Sequence, residues 1–383
     1  MWRNLVSRVS INQTAKCLKR STVLFFSFSP VSAIHCVANP QFQKAMVKQT
    51  EVSLSFAKHL FLKEANKNVV VSPLCIQVLL GVVAAGSKGA TLRQLLSFLK
   101  ATSVGDLTSF ASQLSDVVFA DGGSGGGVCL SCANGLWFDQ SLILKPSFKQ
   151  SVESHYRANL SQVDFQNKCF KGVWLEKFDS SETRDYEFHL LCGNSVKAPF
   201  MTNTKKEEYL IRVCDGFKVL GLPYKRHFTM YIFLPDSNDG FPSLVEKVGS
   251  QSNFLKQHLP KTNAGVGDLR IPKFKVSYEL MASNLLKELG LTLPFSGGGE
   301  LTEMADFLGG NEMLYISNIF QKAFIEVDEE GTKAAVATYN DGVMAGPPPE
   351  IDFVADRPFL FLIREDKSGA VLFVGQVLNP LAS

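Results

Sequence analysis

Three stretches hold residue types and spacings that could do chemistry. "GGSGG" at Gly122–Gly126 satisfies the GxSxG spacing of a nucleophile elbow, in which a serine on a strained strand-to-helix turn attacks an acyl carbon. That chemistry needs a strand before the serine and a helix after it. Here the run continues into Gly127 and then the strand-like "VCLSCANGLWF", so it reads as a flexible connection, and it lacks the Lys and Ser/Thr of a phosphate loop. Cys129 and Cys132 have the CxxC spacing of a metal grip. In a strand, positions three apart point to opposite faces, so the pair cannot share one ion without a bend. The six histidines (His35, His59, His155, His189, His227, His258) include no HExxH and no closely spaced pair. No metal, no cofactor and no enzyme activity is expected from these residues.

The elements around them describe one large domain. "VSLSFAKHLFLKEA" carries apolar residues at helical spacing, and "SPLCIQVLLGVVAAGSKGATLRQLLSFLK" holds two more helices. The first of these is opened by a Ser72-Pro73 cap, and the second is preceded by the small, close-packing Ala84-Ala85-Gly86. After Gly127 the pattern turns to strands: "VCLSCANGLWF", then "LGLPY" and "FTMYIFLP" with Lys225-Arg226 at the turn between them. "LRIPKFKVSYEL" alternates as a strand running into the helix "LMASNLLKELG", and the chain ends in "FLFLIRED" and "AVLFVGQVLNP" joined by "DKSG". Helices come first and strands return late without βα alternation, so the fold class is α+β with mixed sheets.

Charge divides the chain unevenly. Residues 1–50 hold seven basic side chains (Arg3, Arg8, Lys16, Lys19, Arg20, Lys44, Lys48) and no acid, leaving 32 basic against 36 acidic residues in the rest, a body of −4. Such a body gives no case for nucleic-acid binding. Residues 1–47 form a basic extension with three open readings. It suits an organelle transit peptide; its Ser21–Ile34 run, flanked by Lys19-Arg20 and Ala38, suits a secretory signal; or Met46 is the start and the leader is untranslated. The run is too short for a comfortable membrane span, so no membrane partner is expected. The eight cysteines (Cys17, Cys36, Cys75, Cys129, Cys132, Cys169, Cys192, Cys214) are scattered without a disulfide framework and read as reduced, buried thiols. Asn159-Leu160-Ser161 is a glycosylation sequon, which matters only in a secreted chain.

Seven stretches taken together, in order and at matching spacing from about residue 48, resemble the serpin family. They are "NVVVSPL" (68–74), "AAGSKGAT" (84–91), "FKGVWLEKF" (170–178), "IPKF" (271–274), "FIEVDEEGTKAAVAT" (324–338), "DRPFLFLIRE" (356–365) and "LFVGQVLNP" (372–380). "SFLK", "ANGLWFDQSLILKPSFKQ" and "DGFKVLGLPY" are most similar to the plant branch. The resemblance implies a serpin domain over 48–383 and a reactive-centre loop over 329–352. The loop would act as a suicide substrate for a serine, in some cases cysteine, protease, with the chain monomeric and extracellular or cytosolic. The hinge would be Glu329, Glu330, Gly331, Thr332, Lys333, Ala334, Ala335, Val336, Ala337 and Thr338. Alternation puts Thr332, Ala334, Val336, Thr338 and Asn340 on one face, all uncharged and fit to be buried. Family spacing puts the cut bond at Ala345-Gly346, which implies a small-residue preference, and Pro347-Pro348-Pro349 shorten and stiffen the far side.

One departure concerns the body. "YRANLSQVDFQNKC" runs directly into "FKGVWLEKF", where the resemblance implies an amphipathic helix and most of a central strand of the large sheet. One helix and that strand before Phe170 are therefore expected to be missing, leaving the sheet with a gap or an altered register. The alternative function is accordingly a non-inhibitory or degenerate serpin, acting as a binding or carrier protein.

Overall fold

The computed structural model describes residues 21–26, 40–118, 128–139, 142–156, 158–160, 170–172, 174–203, 208–225, 227–307, 314–329 and 350–382. The first element is a strand, β1 (Ser21–Phe26), followed by α1 (Pro40–Lys63). Helix α1 buries Phe42, Met46, Gln49, Ser53, Phe56 and Leu60, spacings of three and four that put one face on the core. Because it begins at Pro40, a division of the chain at 47/48 falls inside one helix.

After β2 (Val69–Val71), helix α2 (Pro73–Ala85) is apolar nearly all round and buried nearly all round. Pro73 sits at its start, where a missing N–H costs nothing. The expected Ser72 cap is corrected here: Ser72 holds the cap position, but its side chain makes no capping bond. Instead its backbone N–H donates to Gln321 Oε1 at 2.7 Å, and its carbonyl accepts from Gln321 Nε2 at 2.9 Å. The small-residue end of α2 packs as expected, since a Cβ on Gly86 would lie 2.8 Å from the Met304 side chain. Helices α3 (Gly89–Phe98) and α4 (Val104–Val118) complete the N-terminal group.

Strand β3 (Val128–Asp139) is the predicted "VCLSCANGLWF" strand. It leads through β4 (Leu142–Leu144) and α5 (Pro146–Tyr156) to β5 (Ala158–Leu160), and then β6 (Phe170–Gly172). Strands β7 (Arg184–His189), β8 (Ser195–Thr202), β9 (Glu208–Cys214), β10 (Phe217–Pro223) and β11 (Phe228–Pro235) follow, the last two paired as the predicted hairpin. Two helices, α6 (Phe241–Ser250) and α7 (Phe254–His258), precede β12 (Asn263–Pro272) and β13 (Phe274–Met281).

"LRIPKFKVSYEL" is thus two strands rather than one, broken at Lys273, where the chain passes from β12 in one sheet to β13 in the other. Then come α8 (Ala282–Glu288), β14 (Ala305–Phe307), β15 (Ile319–Val327), β16 (Ile351–Val354), β17 (Phe359–Glu365) and β18 (Val371–Val377). Among the described residues, Cys75 and Cys214 are half-buried free thiols and Cys192 is exposed at a turn, contrary to the expectation of buried thiols. The "GGSGG" run lies outside the described residues.

The strands form two large sheets and one small pair, confirming the α+β class. One sheet runs β2-β18-β17-β11-β10-β9-β12-β8-β7 with β16 on β12. Its central strands β11, β17 and β18 are buried on both faces, with Phe359 and Phe361 fully enclosed. The other runs β13-β15-β3-β1-β5 with β6 on β3. Among the described residues, the strand expected to be truncated is represented by Phe170–Gly172. In this sheet β15 bonds β3 directly and antiparallel over seven residue pairs, Ile319↔Leu136 to Ile325↔Leu130. No helix is described between β5 and β6.

Candidate functional site

The chain leaves the six-stranded sheet at the end of β15, and five side chains mark the exit. Trp174, 1% exposed, follows β6 and lies over the sheet end, where its indole N–H donates to the Asp328 carbonyl at 2.9 Å. Its ring stacks on Tyr224 with centroids 4.2 Å apart and planes 9° from parallel, and the two residues also form a backbone bridge. Tyr224 is itself fully buried, and burial pushes its hydroxyl well above the ordinary tyrosine range. Among the described residues that hydroxyl has no hydrogen-bond partner.

Glu329, the next residue but one after β15, is clamped. Its carboxylate accepts from Lys273 Nζ at 2.6 Å and from Thr183 Oγ1 at 2.7 Å, with the side chain 13% exposed. Lys273 is placed by the break between β12 and β13, where its own N–H bonds the Pro199 carbonyl at 2.8 Å. Burial raises the Glu329 carboxyl, but the Lys273 ammonium and the Thr183 hydroxyl outweigh it and hold the group below the usual glutamate value. A depressed carboxyl stabilises the fold above its unfolded pKa, about 4.3, and loses that contribution as pH falls through the folded value. Glu329→Gln is therefore expected to lower stability at pH 7 by about 1–3 kcal/mol, with the difference from wild type shrinking as pH falls through the depressed folded pKa, read by urea unfolding at each pH.

The chain re-enters at Glu350. Ile351 starts β16, which pairs β12 in parallel through Val266↔Ile351, Leu269↔Phe353 and Arg270↔Val354. Asp352 Oδ1 accepts from the Asp268 N–H at 2.8 Å, Lys218 Nζ donates to the Asp352 carbonyl at 2.9 Å, and Phe353 is fully buried. Two fixed anchors in two different sheets thus bound the connection 330–349. Connections this long inside a domain usually carry function.

Of the predicted site residues, only Glu329 is described; Glu330, Gly331, Thr332, Lys333, Ala334, Ala335, Val336, Ala337, Thr338, Ala345 and Gly346 lie outside the described residues. Sequence reasoning assigned no role to Trp174, Thr183, Tyr224 or Lys273. Three of them were in view, in "FKGVWLEKF", "LGLPY" and "IPKF". Thr183 carried no signal, because it meets Glu329 only through the fold.

Comparison with known proteins agrees with this geometry. The sequence model of the family described as Serpin (serine protease inhibitor) matches residues 47–169 and 168–380. Serpin-ZX of Arabidopsis thaliana is 46% identical, with 87% of this chain and 97% of that protein aligned. Serpin-ZXA of Oryza sativa subsp. japonica is 44% identical over 83% of this chain and 91% of its own length. The solved structure of Arabidopsis AtSerpin1 in its native stressed conformation has a TM-score of 0.80 and 44% identity, covering 90% of this chain and all of that one.

The alignments also size the missing piece. The match to Serpin-ZX spans 383 positions yet uses only 87% of a 383-residue chain, about 333 residues, so about 50 aligned positions have no counterpart here. The family match breaks at Lys168–Cys169, directly before β6, which is where the absent helix and strand belong. With nearly all of residues 47–380 matched and plant relatives above 40% identity, the chain belongs to the serpin family.

Proposed function

We propose that the protein inhibits serine proteases as a suicide substrate, presenting 329–352 as a reactive-centre loop with Ala345-Gly346 as the bait bond. The observation that supports the reading most directly is the clamp on Glu329 at the end of β15. It starts the loop in line with a sheet strand, as a segment that must fold back beside β15 requires. The names and family of the relatives point to the same activity.

The chemistry follows from the bond. The protease serine oxygen attacks the Ala345 carbonyl carbon, the C–N bond to Gly346 breaks, and the new amine takes a proton and leaves. An ester joins Ala345 to the enzyme. Hydrolysis of that ester competes with entry of residues from Thr332 onward into the sheet beside β15. The chain is a trapped substrate and not a catalyst, and it acts as a monomer. In this molecule the edge of β15 is taken by β3, so entry means parting those seven residue pairs.

Alanine before the bond selects proteases with a small, apolar pocket and disfavours trypsin-like ones. Incubation with an elastase-like, a trypsin-like and a cysteine protease, followed by denaturing electrophoresis, is expected to give an SDS-resistant adduct of the 42.1 kDa chain with the elastase-like enzyme. Cleaved chain without adduct from every protease would refute the inhibitory reading.

A further inference from the structure

The basic extension contains a strand of the folded sheet. Residues Ser21–Phe26 pair antiparallel with β3, from Ser21↔Asp139 to Phe25↔Gly135, and with β5 on their other side, from Leu24↔Leu160 to Phe26↔Ala158. Downstream in the same extension, Phe42 and Met46 of α1 are 2% and 3% exposed, and Phe42 meets the Phe110 ring at a centroid distance of 5.6 Å. Two separate parts of the extension thus engage the body, one through backbone pairing and one through side-chain burial.

The register gives the pairing a purpose. Gly135 and Leu136 of β3 pair with Phe320 and Ile319 of β15 and also with Phe25 and Leu24 of β1. At those residues β3 is held from both sides. Without β1, that edge of β3 and the facing edge of β5 would be bare, each with a row of unpaired N–H and C=O groups in a sheet already short of a strand. We propose that Ser21–Phe26 and Pro40–Met46 are resident parts of the fold, with β1 acting as an internal strand donor that fills the seam between β3 and β5 and braces β3 against β15. The occupant of this seam is a segment of the chain itself. The inference rests on the pairing and burial alone, independent of whether a protease is trapped.

Amide hydrogen exchange on the full-length chain tests it, read at Gly135–Asp139 and Ala158–Leu160, with Phe359–Glu365 of β17 as internal reference. Leu24→Pro removes a ladder N–H and cannot sit in a strand paired on both sides, so exchange at the seam is expected to rise at least tenfold with β17 unchanged. Leu24→Gly keeps the amide and only weakens the strand, so its expected rise is about threefold. Should the proline variant fail to fold, the glycine variant decides alone. Seam exchange equal to wild type in the variants that fold would overturn the proposal.

Discussion

Cutting the loop at Ala345-Gly346 with an elastase-like protease is expected to raise the melting temperature by about 10–15 °C. Inserting a strand between β15 and β3 breaks one ladder of seven residue pairs and makes two, so the net gain is one strand's worth of backbone bonds. A ten-residue strand at about 1 kcal/mol per bond gains on the order of 10 kcal/mol. For 383 residues the entropy of unfolding is about 0.8 kcal/mol/K, which converts that gain to a little over 10 °C. Calorimetry of intact and cut protein reads the shift. An unchanged melting temperature would show that the cut loop stays outside the sheet and would favour the non-inhibitory alternative.

Ala334→Arg should turn the inhibitor into a substrate, while Ala335→Arg should not. If the hinge enters as proposed, strand alternation turns Ala334 inward with Thr332, Val336 and Thr338, and Ala335 to the other face. An unpaired guanidinium carried under the sheet costs several kcal/mol, and even ~3 kcal/mol on the insertion barrier slows it about a hundredfold. Ester hydrolysis is not slowed, so it wins the race. The expected result is at least a tenfold fall in adduct for Ala334→Arg, with cleaved chain in its place, and a change within twofold for Ala335→Arg. Equal behaviour of the two variants would mean that the hinge does not enter as an alternating strand.

What could be read in the sequence was local. The α2 helix, the β10–β11 hairpin and the β17–β18 pair follow from periodicity and turns, whereas the absent stretch before Phe170 is visible only through the resemblance to the family. The choice of partner for a strand is a different kind of fact. The pairing of β15 with β3 depends on which other strands compete for those edges, and nothing within either segment states it. "STVLFF" is compatible with a signal-like apolar run and with a strand, because a serine, a threonine and four apolar residues suit both. At the site, Lys273 stands in "IPKF", a motif with no chemistry of its own, and its part appears only when the break after Pro272 brings it to Glu329. Gln321 was missed entirely, since an amide bonding the backbone of Ser72 across 249 residues of chain leaves no local pattern.

The pairing of β3 also has a consequence for synthesis on the ribosome. Its partner on one side, β15, lies about 180 residues further along the chain, so at roughly 5–20 residues per second that edge of β3 waits about 10 to 40 s for its complement. Its partner on the other side, β1, has already been made. The nascent chain therefore carries a half-satisfied strand through about half of its elongation, with β1 as the first shield available against sticking to a neighbour.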